Sequence, residues 1–405
     1  MKIQRGFKFR LKSTRDLEAM FWRQAGACRF VWNLFLKRQE YRRSRGHYVE
    51  SFQTMCLHLT QVKKHYTFLK EVDSTTLQQT LKDLHRAYMD AFDPKQPNKR
   101  MPVKKKRATC RNSFRYTQRV TLQGNTVYLP KLGTFRFHQS RKIIGKLKNT
   151  TVGFEGGHWH VSFQTEYEQP DFDHPSQSMV GVDVGVARFA TLSNGSFIPA
   201  VDAFKKHSER LAKLQRRLAK KKRFSANWKK LKARISKLHT KVARIRYDLS
   251  HKVSTYLSKS HAVIVFEDLS IKNMTKSAKG TMDTHGSMVK QKSGLNRSIL
   301  DQGWGKLISF CEYKQKWANG MVIKVNPRGT SQRCHVCGHQ HKDNRQSQSL
   351  FECQKCGLKI HADDNASINI EAAGHAVLAC GEKALAYSVK QEPTDFARSQ
   401  PLLFN

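Results

Sequence analysis

Two Cys-x-x-Cys pairs constrain the fold of this chain more tightly than any other sequence feature. Cys334 and Cys337 form the first pair, and 15 residues separate it from the second, Cys353 and Cys356. Two such knuckles supply four thiolates that can surround one Zn²⁺ tetrahedrally, so a short loop-rich segment can fold without a hydrophobic core of its own. Because a four-Cys site leaves no coordination position open, we expect a structural zinc rather than a catalytic one.

A glycine follows the second Cys of each pair, at Gly338 and Gly357, where a knuckle's tight turn favours a residue that tolerates a positive φ. The remaining cysteines are scattered: Cys28, Cys56, Cys110, Cys311 and Cys380. An odd total with four residues in paired motifs suits a reducing compartment and a metal site better than a disulfide framework. Redox-active dithiols are the alternative interpretation of the two pairs.

The charge balance indicates a polyanionic partner. The 405 residues include 74 Lys and Arg against 31 Asp and Glu, and the formal net charge is +43. Such an excess opposes compaction unless a polyanion neutralises it, so nucleic acid is the expected partner. No run approaches 18 apolar residues and the first residues contain no apolar signal segment, so we expect no membrane partner and an intracellular, soluble protein.

Hydrophobic periodicity divides the N-terminal part into a β-rich region and a helical region. Residues 2–11 alternate as a strand, residues 14–92 have helical periodicity, and short β-rich runs with turns between them extend from residue 115 to about 168. The spacing of the later β-rich segments fits a small β-barrel or sandwich, and the strand at residues 2–11 can add to it. The predicted domains are a β-barrel domain, 1–13 and 112–175, and an inserted helical lobe with a basic linker, 14–111.

The C-terminal part has an α/β pattern. Val180–Leu192 predicts two strands, HAVIVF and GMVIKV predict two more, and residues 204–260 predict a helical hairpin with an apolar seam and a cationic outer face. The sequence after Val377 lacks periodicity, which predicts a flexible tail. The predicted segments are an α/β domain, 176–328 and 358–376, a zinc ribbon, 329–357, and a tail, 377–405.

Three carboxylates stand out in this part. Asp183 lies in the middle of an apolar stretch predicted as strand, Glu267 ends HAVIVF, and Asp363 opens the helix-like stretch DDNASINIEAA. An apolar strand rarely carries an isolated acid unless a metal or a partner cation compensates its charge. If the tertiary fold brings the three acids together, they can hold two Mg²⁺ or Mn²⁺ ions about 4 Å apart, the arrangement that hydrolyses phosphodiesters.

Each acid has a structural alternative. Asp183 can pair with Arg188 in the same hairpin, Asp363 or its neighbour Asp364 can cap a helix, and Glu267 can be a solvated strand end. Asp268 and Asp364 are the adjacent rivals for the metal-binding roles. The residues alone leave these alternatives open.

The order of the motifs resembles one family. GVDVG, a basic helical insertion, VFEDL, DQGW, a TSQRC-type zinc ribbon and ADDNASINI follow one another as in the TnpB (OrfB) family of transposon-associated RNA-guided endonucleases, which is related to the type V CRISPR effectors. The resemblance extends to about residue 375. It implies an RNase H-like (RuvC) nuclease domain in which Asp183, Glu267 and Asp363 are the catalytic, metal-binding carboxylates, with the β-barrel as a wedge domain and the helical lobe as a recognition lobe.

One motif departs from the family pattern. Many relatives have Asp-Arg immediately before the Asp that matches Asp363, whereas this chain has His361 and Ala362. The principal acid is retained, and the contacts that support it are expected to differ.

The resemblance also implies a cytoplasmic, nucleoid-associated prokaryotic protein, an activity and its partners. We expect an RNA-guided DNA endonuclease that acts as a monomer with a transposon-encoded guide RNA (ωRNA) and cleaves guide-matched double-stranded DNA beside a short flanking motif. A nuclease-inactive RNA-guided DNA-binding regulator is the alternative, although all three acids are present. A transposase with a Tyr nucleophile predicts a His-rich motif that is absent here, and a plain zinc-ribbon DNA-binding protein leaves the acidic motifs unexplained.

Twelve residues are candidates for nucleic-acid contacts. By resemblance, four lie where relatives contact the flanking motif: Tyr48, Gln78, Thr117 and Gln118. By charge, two basic runs are expected to contact phosphate or RNA: Lys104, Lys105, Lys106 and Arg107, and Lys220, Lys221, Lys222 and Arg223. A nuclear-localisation signal has the same composition as such a run, and an exposed polar residue on a helix is commonly only solvated.

Overall fold

The chain folds into two units, Met1–Pro170 and Asp171–Asn405. A computed structural model describes residues 1–107, 109–170, 172–281, 285–380 and 400–402. No helix among these residues is long and apolar enough to cross a membrane.

Three helices form the helical part of the first unit, as the periodicity of residues 14–92 predicted: α1 (Arg15–Ser44), α2 (Phe52–His65) and α3 (Ser74–Phe92), with a 3₁₀ turn at Thr67–Lys70. Each α-helix begins after a side chain that accepts a hydrogen bond from a backbone N–H of the first turn: Thr14, Ser51 and Asp73. Their apolar faces join one core with the sheet of the same unit. Between α3 and the next strand, the described residues form no helix or strand.

The sheet of the first unit has seven antiparallel strands: β1 (Lys2–Leu11), β2 (Ser113–Tyr116), β3 (Thr121–Gln123), β4 (Thr126–Leu129), β5 (Gly133–His138), β6 (Lys146–Glu155) and β7 (His158–Glu168). The strand order is β2-β6-β7-β1-β5-β4-β3, so β1 completes the sheet as expected. The predicted barrel is not closed by strand pairing in the described residues, because β2 and β3 are edges. Tyr116 of β2 nevertheless donates a 3.2 Å hydrogen bond to the carbonyl of Pro130, just after β4.

The second unit contains a mixed sheet: β8 (Met179–Asp183), β9 (Arg188–Leu192), β10 (Ser196–Pro199), β11 (Val263–Glu267) and β12 (Met321–Val325), in the order β12-β11-β8-β9-β10. β8, β11 and β12 are parallel, whereas β9 runs antiparallel to both β8 and β10. A separate antiparallel pair, β13 (Leu350–Glu352) and β14 (Lys359–His361), belongs to the segment with the paired cysteines. The parallel strands β8 and β11 therefore end at the same edge of the sheet.

Helices flank this sheet: α4 (Lys205–Ala219), α5 (Ala226–Ser260), α6 (Ile271–Met274), α7 (Val289–Gln302), α8 (Trp304–Ala318) and α9 (Ala362–Cys380), with a 3₁₀ turn at Lys342–Asn344. Helices α4 and α5 form the predicted hairpin. Its seam is buried at Leu231, Leu238 and Val242, while the cationic residues around it are exposed.

Helix α9 packs unusually close to the sheet, because two glycines remove the side chains that would separate them. A Cβ atom on Gly181 of β8 would lie 2.2 Å from the carbonyl oxygen of Ser367, and one on Gly374 would lie 2.4 Å from a methyl carbon of Val265. Neither distance is tolerable for a real side chain. The two glycines therefore fix where α9 begins relative to the ends of β8 and β11.

The C-terminal segment differs from the predicted flexible tail. Val377–Cys380 complete α9, and Gln400–Pro401 form a short strand, β15, parallel to β10. Leu402 contacts the core of the second unit, and its N–H donates to the carbonyl of Phe197 at 2.7 Å. The prediction failed here because a two-residue strand carries no periodicity. The rest of the predicted tail, 381–399 and 403–405, lies outside the described residues.

Candidate metal centres

The four paired cysteines meet at one point. The sulfur atoms of Cys334 and Cys356 are 3.7 Å apart, those of Cys337 and Cys353 are 3.5 Å apart, and all four lie within 4.8 Å of one another. Four sulfur atoms around one Zn²⁺ at about 2.3 Å are about 3.8 Å from each other, so the cluster has the dimensions of a tetrahedral zinc site. No other group of three or more His, Cys, Asp or Glu in the described residues meets the same distance.

Both predicted knuckle turns are present. Gly338 and Gly357 have φ values of +73° and +72°, and their N–H groups donate to the carbonyls of Cys334 and Cys353 at 3.0 and 2.9 Å. Each turn closes on the first Cys of its pair and directs both thiols of the pair to the same side. A residue with a Cβ atom would strain either turn.

The thiols of this cluster have pKa values displaced in opposite directions. Burial raises the pKa of Cys353, but the backbone N–H groups of Cys356 and Lys355 and the neighbouring thiols lower it to about 6. The backbone N–H group of Leu358 lowers the pKa of Cys356, but desolvation and the hydrogen bonds to the other three thiols together raise it to about 12. Crowded thiols that resist joint ionisation are suited to a cation that stabilises all of them as thiolates.

The three predicted carboxylates line a second pocket, of about 250 Å³. Asp183 is the last residue of β8, Glu267 is the last residue of the neighbouring parallel strand β11, and Asp363 is the second residue of α9. The sequence suggested that Asp183 lies in the middle of a strand. The structure instead places it at the end of β8. The two strands end at one edge of the sheet, and the close packing of α9 brings the third acid to the same edge.

Burial and mutual repulsion disfavour three negative charges in this pocket. The pKa of Asp183 is raised to about 7, first by burial and then by the charges of Glu267 and Asp363. Burial also raises the pKa values of Glu267 and Asp363. Carboxylate oxygens are the ligands that Mg²⁺ and Mn²⁺ prefer, so a half-buried set of acids that resists ionisation by itself fits a divalent cation site.

Two further residues of this pocket were not found from the sequence. The guanidinium of Arg345 lies 3.9 Å from a carboxylate oxygen of Asp363. Its positive charge opposes the rise in the pKa of each of the three acids but does not cancel it. The hydroxyl of Thr330 donates to a carboxylate oxygen of Glu267, and the same hydroxyl oxygen lies 3.1 Å from the carbonyl oxygen of Pro327. Thr330 belongs to the TSQRC motif, but Arg345 is one arginine among many and nothing in the sequence marks it.

The alternative roles of the neighbouring acids are resolved by their contacts. Arg188 lies 3.0 Å from Asp364, which is buried, so the arginine pairs with that residue and not with Asp183. Asp268 is exposed and does not line the pocket. At the position where this chain departs from the family pattern, the imidazole Nδ1 of His361 accepts a 3.2 Å hydrogen bond from the backbone N–H of Asp363.

Helix α9 links the two centres. The side-chain NH₂ of Asn365 donates to the carbonyl of Arg333 at 2.8 Å, and its oxygen accepts from the N–H of His335 at 3.1 Å. One turn later, Asn369 donates to the carbonyls of Arg333 and Thr330 at 2.6 and 2.9 Å. The helix that presents Asp363 to the carboxylate pocket thus also holds the chain at the first knuckle.

The candidates for nucleic-acid contacts are mostly exposed. Tyr48 is 92% exposed. The other exposed candidates are Gln78, Thr117, Gln118, Lys104, Lys106, Arg107, Lys220, Lys221, Lys222 and Arg223. Lys105 differs, because its ammonium lies 3.4 Å from the centre of the Trp32 ring and burial lowers its pKa. We conclude that Lys105 packs against α1 and is the poorest phosphate contact of its run.

Two ion pairs connect the segments that carry Gln78, Thr117 and Gln118, three of the candidates for contacts with the flanking motif. Arg115 pairs with Asp83 at 2.5 Å, and Arg119 pairs with Asp73 at 3.2 Å, so strand β2 and the loop after it are tied to α3. Gln78 is on α3 between the two aspartates, and Thr117 and Gln118 lie between the two arginines. These three exposed side chains therefore belong to neighbouring segments of one surface.

Comparison with known proteins agrees with this architecture. Residues 162–278 match the OrfB family of IS605 elements, described as "Probable transposase", residues 304–370 match the Cas12f1-like TNB domain, and residues 1–47 match the helix-turn-helix domain of the OrfB family. The fold resembles the protein in "Cryo-EM structure of the Cas12f1-sgRNA-target DNA complex", with a TM-score of 0.58 over 91% of this chain and 99% of that one at 15% identity. The chain thus has the fold of a type V effector.

Similarity in sequence extends over at least 97% of the length of two relatives. "Putative RNA-guided DNA endonuclease InsQ" of Escherichia coli (strain K12) is 47% identical over 98% of this chain and 100% of its own length. "Putative RNA-guided DNA endonuclease" of Streptomyces pristinaespiralis is 30% identical over 97% of each chain. The chain belongs to the TnpB (OrfB) family of transposon-associated RNA-guided endonucleases.

Proposed function

We propose that this protein is the RNA-guided DNA endonuclease of an insertion-sequence transposon, and that it cleaves guide-matched double-stranded DNA beside a short flanking motif. The observation that carries the proposal is the convergence of the half-buried residues Asp183, Glu267 and Asp363 on one pocket. A structural or purely DNA-binding role gives no reason to bring three partly desolvated acids together at a cost in ionisation free energy.

The strand arrangement supports an RNase H-type (RuvC) nuclease. Three consecutive antiparallel strands, β8 to β10, are followed by two strands, β11 and β12, that add in parallel on the other side of β8. The first and fourth strands then place Asp183 and Glu267 side by side. In the proposed reaction, these two acids and Asp363 hold Mg²⁺ or Mn²⁺, which when bound supplies an activated water and a stabilised leaving oxygen.

The surrounding residues have supporting roles in the proposal. Thr330 orients the Glu267 carboxylate through its hydroxyl, and Arg345 offsets negative charge in the pocket. The four-Cys cluster holds a structural Zn²⁺ that fixes the segment bearing Arg345, and α9 joins this segment to Asp363. The net charge of +43 suits a monomer that binds a guide RNA and its DNA target together.

A programmable cleavage assay tests the proposal. The protein is co-expressed with the transposon end that encodes its RNA and is then mixed with a plasmid pool randomised beside a guide-matched target. We expect double-strand breaks next to one flanking motif, and we expect the breaks to follow the guide when its sequence is changed. Binding of the target without cleavage would support the nuclease-inactive regulator, and joined products in a parallel strand-transfer assay would support a transposase.

A further inference from the structure

The tip of the α4–α5 hairpin exposes a strained aromatic residue. Phe224 lies in the turn between the two helices with a left-handed φ of +68°, and 59% of it is exposed. Bulky residues with a φ in this region are genuine outliers. Such strain persists where the surrounding structure enforces it, most often at functional sites.

The turn itself does not require this residue. Ser225 begins α5 by accepting a 3.2 Å hydrogen bond from the backbone N–H of Trp228, which caps the helix independently of the side chain at 224. A glycine or an asparagine would adopt the left-handed conformation with less strain. The ring of Phe224 does contact that of Trp228, with centroids 5.5 Å apart, but this contact leaves more than half of the residue in solvent.

The residues around the tip provide charge beside the ring. The four residues before Phe224 are all cationic and exposed: Lys220, Lys221, Lys222 and Arg223. The guanidinium of Arg223 lies 5.0 Å from the centroid of the Phe224 ring, and the ammonium of Lys232 lies 5.0 Å from that of Trp228. Exposed rings interleaved with cations are the arrangement by which proteins hold unpaired nucleotides, because bases stack on the rings and phosphates meet the cations.

We propose that Phe224 stacks on an unpaired base of an RNA, and that Lys220, Lys221, Lys222 and Arg223 bind the flanking phosphates. The choice of RNA rests on the proposed function, in which the RNA has loops and ends and the DNA enters as a duplex. Bases in RNA loops are splayed out and are commonly recognised by aromatic rings and guanidinium planes. The hairpin tip is then an RNA-binding site separate from the carboxylate pocket.

Substitutions at position 224 separate this role from a structural one. Binding of a fluorescent oligouridine RNA to the full-length protein is measured by anisotropy at raised salt, where non-specific phosphate contacts are weakened. We expect Phe224→Leu to weaken binding about tenfold and Phe224→Trp to retain it. We also expect Phe224→Gly to weaken binding while the melting temperature stays equal or rises, since glycine relieves the strain. A purely structural phenylalanine predicts the opposite, a lower melting temperature with unchanged binding.

A matched control and a mapping experiment complete the test. Tyr41 is also exposed and has the guanidinium of Arg45 5.3 Å from its ring, but it lies in the regular helix α1, so Tyr41→Leu should leave binding unchanged.

A 4-thiouridine probe should crosslink to the peptide containing Phe224. Unchanged binding by Phe224→Leu, or crosslinks confined to other peptides, would overturn the proposal. An equal loss for oligodeoxythymidine would overturn the assignment to RNA. Because no cleavage is measured, the outcome is independent of the proposed nuclease activity.

Discussion

The two candidate metal centres of this protein are assembled in contrasting ways. The thiolate centre takes all its ligands from residues 334–356, and two glycine turns suffice to direct them inward. The carboxylate centre takes its ligands from two strand ends and a helix start that are far apart in sequence, at Asp183, Glu267 and Asp363. A local motif can encode the first centre by itself, whereas the second exists only when the sheet and α9 have packed.

The two centres should also differ in what they contribute to the free energy of folding. A four-thiolate site replaces a hydrophobic core in its segment, so its metal contributes folding free energy directly. The carboxylate pocket is built by a sheet with its own apolar core, and its charges oppose that fold until a cation binds. Loss of metal should therefore unfold the thiolate centre, whereas the carboxylate centre should stay folded and lose only the stabilisation that its bound cation provides.

The largest expected effect is on the thiolate centre. In Cys353→Ser, zinc content measured by elemental analysis should fall from one per chain to near zero and the segment should lose protease resistance, because zinc contributes about 10–16 kcal/mol to folding in comparable modules. Cys110→Ser is the control, since Cys110 is half-buried outside the cluster and should leave zinc content unchanged. Full zinc retention by Cys353→Ser would contradict the contrast.

The second effect is on catalysis without loss of fold. Glu267→Gln and Asp363→Asn should each lower the cleavage rate at least about a thousandfold, because each removes a charge that the reaction requires, while the melting temperature is maintained or raised. Asp268→Asn is the matched neighbour, exposed and outside the pocket, and should retain cleavage. If Asp268→Asn were inactive and Glu267→Gln active, the assignment of the two acids would have to be exchanged.

A third effect is a pH dependence that arises from the carboxylate centre. Because the pKa of Asp183 is raised from 3.8 to about 7, the free energy of unfolding of metal-free protein should fall as pH rises from about 4 to about 7. Asp183→Asn should remove this contribution and become the more stable form above pH 7 by a few kcal/mol, since one pKa unit corresponds to about 1.4 kcal/mol. Urea unfolding with chelator checks this, and added Mg²⁺ should abolish the difference. If the free energy of unfolding depended on pH in the same way in both proteins, the pKa of Asp183 would not be raised in the folded state.

The smallest effect tests how α9 is positioned. Gly181→Ala should lower the free energy of unfolding by about 1–3 kcal/mol and reduce cleavage, since its Cβ atom would collide with the backbone of α9 and displace Asp363. Gly294→Ala is the control of opposite sign: it lies in α7 with open space around it and should stabilise the protein by about 0.5–1 kcal/mol. Equal changes in the two variants would mean that α9 does not approach the sheet as closely as described.

The same contrast explains what sequence reasoning achieved. Metal-ligand spacing and glycine turns are local, so the four cysteines and the positive φ values of Gly338 and Gly357 were predicted from residues alone. The carboxylates were singled out by their apolar surroundings, but their meeting could be expected only from the family resemblance. Their catalytic role stays a prediction until cleavage is measured.

The features that sequence reasoning missed all depend on distant contacts. Arg345 lies in the carboxylate pocket because of how the four-Cys segment folds. Lys105 packs against the ring of Trp32 and is therefore less available than its basic neighbours. The strand Gln400–Pro401 is defined only by its partner β10. None of these contacts leaves a periodic or spaced pattern in the sequence, and therefore none could be read from it.

The most direct test of the account compares wild type with Asp183→Ala, each loaded with the transposon-encoded RNA, in Mg²⁺ and in chelator. We predict that both proteins bind the guide-matched duplex with similar affinity, and that only wild type with Mg²⁺ cuts both strands. Cleavage by Asp183→Ala at the wild-type rate, or binding without cleavage by wild type in Mg²⁺, would contradict the claim that Asp183, Glu267 and Asp363 form the nuclease centre.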